Sequence, residues 1–147
     1  MVNVRFPDPV FQTKTVDGRK FIFDNLRKKW LVLTEEEWVR QNFIQYLIQE
    51  LKYPAALIAV EKAIAVFDLT KRFDILIYNS HHQPWMLVEC KEEKIALNES
   101  VLHQALRYNL SAPVKYIILT SGRNTIGWKR ENGTMTEVSA MPQWEGE

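Results

Sequence analysis

The sequence predicts an α/β (α+β) fold with the core order αβββαβ, a mixed central sheet flanked by helices, and an extra hairpin at each end. Three observations carry this. Two runs have apolar residues at helical spacing, four short runs are rich in Ile, Val, Leu and aromatics, and two Asx-Gly dipeptides sit between alternating segments.

Phe11 to Phe23 alternates apolar and polar residues around Asp17-Gly18, a pair that tolerates the positive φ of a tight hairpin turn. Thr34-Glu35-Glu36-Glu37 fits a capping box, in which the Thr34 hydroxyl takes a backbone N–H and Glu37 reaches back to the cap. From there Val39, Phe43, Ile44, Leu47, Ile48 and Leu51 recur at helical spacing until Tyr53-Pro54 ends the run. Ala56 to Phe67, Arg72 to Tyr78 and Trp85 to Lys91 read as three consecutive strands. Asn98 to Leu110 is again helical and stops near Ser111-Ala112-Pro113. Val114 to Thr120 follows as a buried strand, and Ile126 to Lys129 and Thr134 to Val138 flank the turn signal Asn132-Gly133.

At 147 residues the whole chain, 1–147, is expected to form one domain around one core. Its 19 Lys and Arg against 18 Asp and Glu give a formal net charge of +1, so contact with nucleic acid would need a local basic patch. Candidates are Arg27-Lys28-Lys29, Lys71-Arg72 and Lys129-Arg130, which as a class are more often solvated surface. The lone Cys90 excludes an intramolecular disulfide, and no window approaches the roughly 18 apolar residues of a membrane span. With the charged start MVNVRFPDP, these features lead to the expectation of a cytoplasmic protein with no membrane partner. Cys90 lacks a base partner and is expected to face the core. His81-His82 reads as a polar hairpin tip, and Trp30, Trp38, Trp85, Trp128 and Trp144 read as packing residues ahead of base-stacking ones.

The chemistry concentrates in RFDILIYNSHHQPWMLVECK, residues 72–91. A turn centred between His81 and His82 places Asp74 opposite Glu89, Leu76 opposite Leu87, Tyr78 opposite Trp85 and Arg72 opposite Lys91. Strand periodicity puts Lys91 on the face of Glu89, with Val88 and Cys90 turned away. Two carboxylates directly opposite repel, so a positive group belongs between them. Hard oxygen donors suit Mg²⁺ or Mn²⁺, and a neighbouring lysine can orient water or hold charge on a phosphate. An ordinary ion pair of Asp74 with Arg72 or Lys91 accounts for the same residues. On the following helix Gln104 and Tyr108 are four residues apart and share a face. Arg40 lies on the inward arc of the first helix, which requires a carboxylate or phosphate partner or a stem that snorkels to water.

Asp74, then Glu89-Cys90-Lys91, then Gln104-x-x-x-Tyr108, in this order of elements, resembles the PD-(D/E)xK nuclease superfamily, whose core is restriction-endonuclease-like. More narrowly, with residues 27–54 and 71–78 included, the chain resembles the N-terminal nuclease domain of type I restriction enzyme R subunits over about Arg27 to Gly122. The resemblance implies Mg²⁺-dependent (or Mn²⁺-dependent) hydrolysis of DNA. It makes Asp74, Glu89 and the Cys90 backbone carbonyl metal ligands, Lys91 the catalytic lysine, and Gln104 and Tyr108 residues that support the site or position DNA. It also implies an assisting acid on the first helix, for which Glu36 and Glu37 are the candidates. The chain carries no GxxxxGK(S/T) pattern, so translocation would come from a separate motor or restriction subunit. The alternative is a catalytically silent module of the same fold that binds DNA or docks on such a partner.

Overall fold

A computed structural model of the chain describes residues 1–144. Strands β1 (Thr13–Val16), β2 (Arg19–Asp24) and β3 (Lys29–Val32) form an antiparallel meander, followed by α1 (Glu35–Gln49). Then come β4 (Ile58–Val66), β5 (Leu69–Tyr78), β6 (Pro84–Cys90), α2 (Glu99–Asn109), β7 (Tyr116–Thr120), β8 (Thr125–Glu131) and β9 (Thr134–Val138). Strands β4 to β9 make one sheet in sequence order, and only β6 and β7 run parallel, joined through α2. The αβββαβ core and the C-terminal hairpin are present, and the fold is α+β with a mixed six-stranded sheet.

Two expectations are corrected. The N-terminal hairpin is a three-stranded sheet, because Lys29–Val32 pairs with β2 before α1 begins. The strand expected over residues 56–67 starts at Ile58, after a 3₁₀ turn at Ala55–Leu57. At both Asx-Gly turns the two central residues have positive φ, Asp17 and Gly18 at 51° and 79°, Asn132 and Gly133 at 50° and 80°. This is the backbone that matches the right-handed twist of the flanking strands.

The helices cover opposite faces of the larger sheet. α1 buries Val39, Phe43 and Leu47 against Ile75, Ile77, Met86 and Val88, while α2 packs Ala105 with Leu76, Leu87, Ile117 and Leu119. Each large apolar side chain removed from water contributes about 1.5–3 kcal/mol, so the two layers fix where the strand ends lie. The inner face of α1 is apolar only from Val39 onward. Its first two turns also bury Glu37, Arg40 and Gln41: Arg40 reaches Asp74 on β5, Gln41 reaches Asp24 at the end of β2, and Glu37 lies between them. Among the described residues no helix is long and apolar enough to cross a membrane.

The polar layer begins at Asp24, whose side chain is fully buried at the end of β2. Its carboxylate accepts the backbone N–H groups of Leu26 and Arg27 at 2.8 Å each, Arg27 Nε at 2.7 Å and Gln41 Nε2 at 2.9 Å. Burial pushes the Asp24 pKa up, but the hydrogen bonds from Arg27 and Gln41 outweigh it and hold it below the ordinary 3.8. The stability this supplies is therefore complete above pH 3.8 and is lost as pH falls through the lower folded value. Acid titration followed by circular dichroism should show Asp24→Asn less stable near neutrality and less sensitive to pH below 3.8 than the native chain. An identical acid limb in the two proteins would remove Asp24 as its source.

Candidate active site

The sheet is irregular where the chemistry lies. β5 pairs with β6 at Ile75–Val88, Leu76–Leu87 and Ile77–Met86, in the expected register. Tyr78 then faces Pro84, not Trp85, because a bulge follows Ile77. The loop causes the shift: Asn79 Oδ1 accepts from the backbone of both His81 and Gln83, closing a connection longer than a symmetric two-residue turn. At the other end the ladder stops at Ile75–Val88, so neither Asp74–Glu89 nor Arg72–Lys91 is a ladder pair.

In place of a ladder bond, Asp74 Oδ2 accepts the backbone N–H of Cys90 at 2.7 Å. On its other side, β4 pairs Val60 with Ile75 and Lys62 with Phe73 but skips Glu61 opposite Asp74. Glu61 has φ +51°, a conformation uncommon outside glycine. Side-chain alternation slips there too, since Phe73 packs on the α2 side and Ile75 on the α1 side. Asp74 thus stands at a fork between β5 and β6.

Arg40 reaches this fork from α1. It is 4% exposed, so its inward position is settled and the snorkelling alternative is excluded. Its guanidinium donates to Asp74 Oδ1 at 3.2 Å, to Glu36 Oε1 at 3.1 Å and to Glu37 Oε1. Burial disfavours its charge, yet Glu37 and Asp74 more than offset that and raise its pKa. Glu37 does not close the expected capping box. Thr34 Oγ1 accepts from Glu37 N at 3.0 Å, but the Glu37 carboxylate is turned inward to Arg40 and Gln41. Glu36 keeps a carboxylate on the open side, and burial, with Asp74 next, raises its pKa.

Glu89 is positioned from α2. Asn109 Nδ2 donates to Glu89 Oε1 at 3.0 Å, and Lys91 Nζ lies 3.2 Å from Oε2. Asn109 is 1% exposed and also donates to the Ala105 carbonyl at 2.9 Å, so the ends of β6 and α2 are tied together. Asp74, Glu89 and Lys91 all border one cavity of about 230 Å³, with Glu36, Arg72 and Tyr108 on its rim. Gln104 and Tyr108 flank an adjoining cavity of about 380 Å³ that also reaches Glu89 and Lys91. Both are exposed on α2, Tyr108 by half. Glu37 borders neither cavity and stands behind Arg40.

Cys90 is buried and faces α1, and burial, then Asp74, pushes its thiol well above 9.0, as an inert core residue requires. Several basic candidates have structural duties. Arg27 pairs with Asp24 and Glu61, Lys71 Nζ donates to the Tyr108 carbonyl at 2.6 Å, and Arg130 donates to the Leu110, Ala112 and Val114 carbonyls. Trp85 and Trp128 are core residues, and Trp144 donates to the Tyr78 carbonyl at 3.0 Å.

Sequence reasoning missed Asn109, Asp24, Arg27, Gln41 and Glu61 as parts of this assembly. Asn109 had a usable signal, since it lies four residues after Ala105 on the apolar stripe of α2. Arg27–Glu61 and Arg40–Asp74 are each 34 residues apart and leave no local trace.

The chain is thus an α+β protein whose mixed sheet is sandwiched between two helices, with an aspartate at a strand fork and a Glu-x-Lys on the neighbouring strand. The chain belongs to the family described as type I restriction enzyme R protein N terminus, which matches residues 35–142. That span runs from the start of α1 past the C-terminal hairpin and leaves the β1–β3 sheet outside. Membership points to a nuclease-like role. No curated protein matches the chain closely enough to identify a relative.

Proposed function

We propose that this chain hydrolyses DNA phosphodiesters with the help of Mg²⁺ or Mn²⁺ at the β5–β6 fork. The observation that carries the reading is that Asp74, Glu89 and Lys91 open onto one cavity while their backs are held by Arg40, Cys90 N–H and Asn109. The donor set fits a divalent ion. A carboxylate has about four lone-pair positions, and Asp74 and Glu89 each have two protein partners, which leaves acceptor capacity on the cavity side. Among the described residues no group of three or more His, Cys, Asp and Glu gathers at metal-binding spacing. A pair of carboxylates, the Cys90 carbonyl and substrate phosphate is a hard-oxygen set suited to Mg²⁺, which keeps several waters. Bound there, the ion would supply Lewis-acid stabilisation of the phosphate charge and a more acidic water.

The chain's own residues do the rest. Lys91, half-exposed and steered by Glu89, donates to a non-bridging phosphate oxygen or to the attacking water. Arg40 and Asn109 hold the two carboxylates from behind, so both are already placed when substrate arrives. Gln104 and Tyr108 line the side on which a DNA strand would approach. The water oxygen gives up a proton to solvent and forms the new bond to phosphorus, while the bond to the leaving sugar oxygen breaks and that oxygen takes up a proton from solvent.

A second reading is a silent module that binds DNA or docks on a motor subunit. It draws on the same pairing, because Arg40 and Lys91 already offset both carboxylates. Incubation with supercoiled, nicked and linear DNA and either metal separates the two. Cleavage with Mg²⁺ or Mn²⁺ and none in chelator supports the first reading. No cleavage of any substrate, together with no metal binding by calorimetry, rejects it.

A further inference from the structure

Beyond the site, the hairpin of β4 and β5 carries an unexplained feature at its tip. β6 stops pairing with β5 at Ile75, whereas β4 and β5 remain paired out to Val66–Leu69. Residues 62–73 therefore form a two-stranded arm that begins immediately beside Asp74. Its two-residue turn is Phe67-Asp68. Phe67 occupies a turn position at φ +56° and is 89% exposed. Hairpin turns favour Gly, Asn or Asp at a positive φ, and for a bulky residue it is an outlier. Water contact over nearly the whole ring is a second cost. Nothing in the folding of the chain requires a phenyl group there.

The arm is anchored. Ile64 packs on the α2-side core, and Lys71 Nζ donates to the Tyr108 carbonyl at 2.6 Å and lies 4.6 Å from the centre of the Tyr108 ring. Lys62 and Arg72 are exposed along it, and Arg72 borders the cavity that holds Asp74, Glu89 and Lys91. The opposing charges are Asp68 at the tip and Glu61 at the root, and Glu61 is turned to Arg27 at 2.8 Å. At about 3.4 Å per residue, the tip stands within about 20 Å of the carboxylate site, a few nucleotide steps along a strand.

We propose that this arm is a DNA-contacting element and that Phe67 stacks on the face of a base at a fixed distance from the scissile phosphate. The inference rests on the DNA-hydrolysis reading and extends it to the contact that holds the strand. Stacking uses a ring face that every base offers, so the contact is tolerant of sequence. The cations of the arm and its continuity with the cavity favour nucleic acid over an apolar protein partner.

The test is fluorescence anisotropy with Ca²⁺ in place of Mg²⁺, using single-stranded, fully paired and forked DNA carrying 2-aminopurine at successive positions. Phe67→Gly removes the ring and relaxes the backbone, so its Tm should be unchanged or raised. Its affinity should fall roughly tenfold or more, with loss of the position-specific 2-aminopurine signal, and Phe67→Trp should retain both. The DNA form that shows the loss identifies the stacked base as unpaired or within a duplex. Equal affinity of native and Phe67→Gly proteins for all three DNAs would overturn the role of the arm while leaving the hydrolysis reading intact. No binding of any DNA by the native protein would overturn the hydrolysis reading itself.

Discussion

Lys91→Ala should lower single-turnover DNA cleavage by about 10²- to 10³-fold, the usual loss when a preorganised donor to developing charge is removed. The fold should hardly change, because Lys91 is partly exposed and, among the described residues, its side chain forms an ion pair with Glu89 alone. Metal binding should survive or tighten, since Glu89 loses a competing cation. This combination sets a catalytic lysine apart from an ordinary ion pair. If Lys91→Ala cleaves at the native rate, or loses cleavage only by unfolding, the assigned role is wrong.

Arg40→Met should have the largest effect on stability. The guanidinium is the shared partner of Glu37, Glu36 and Asp74, and removing one side of a buried ion pair costs about 3–5 kcal/mol because the remaining charge is left without compensation. For a domain whose net stability is about 5–15 kcal/mol, that is a large share. The effect should appear in urea as a lower midpoint at unchanged slope. Arg40→Met combined with Glu37→Gln should recover much of the loss, because Glu37 is the carboxylate enclosed with it. Failure of the second substitution to recover any stability would show that Arg40 acts through packing.

The N-terminal sheet takes part in this ion system although it lies outside the family match. Asp24 fixes Arg27, Arg27 reaches Glu61 at 2.8 Å and Glu37 at 3.6 Å, and Glu37 fixes Arg40, which holds Asp74. One chain of alternating charges thus runs from the end of β2 to the strand fork. It offers a physical reason for the meander to remain packed against α1.

How much of this was readable in advance follows from the range of the interactions. Asp17-Gly18, Asn132-Gly133, the Thr34 cap and the apolar stripe of Val39, Phe43 and Leu47 are local, and each stands in the structure as its pattern indicates. β3 escaped notice because it has four residues, and the turn before it puts its positive φ on Lys28 in place of a glycine. The register was right from Ile75 to Ile77 and failed at Tyr78, where Asn79 builds a wider loop. Strict alternation through Asp74 was the assumption that the fold breaks, since Glu61 opposite it leaves the ladder. Glu37 looked like a capping residue because that role needs only three residues of sequence, whereas its actual partner Arg40 depends on how α1 lies over the sheet. Asp74, Glu89 and Lys91 could be grouped because β5 and β6 are neighbours in sequence as well as in space.

The central claim is that Asp74 and Glu89 share one divalent ion. A crystal soaked in Mn²⁺ and measured at the manganese absorption edge tests it directly. The account predicts a single anomalous peak within bonding distance of both carboxylates and the Cys90 carbonyl, with Lys91 shifted off Glu89. Carboxylates still paired only with Arg40, Asn109 and Lys91, with no manganese between them, would contradict it.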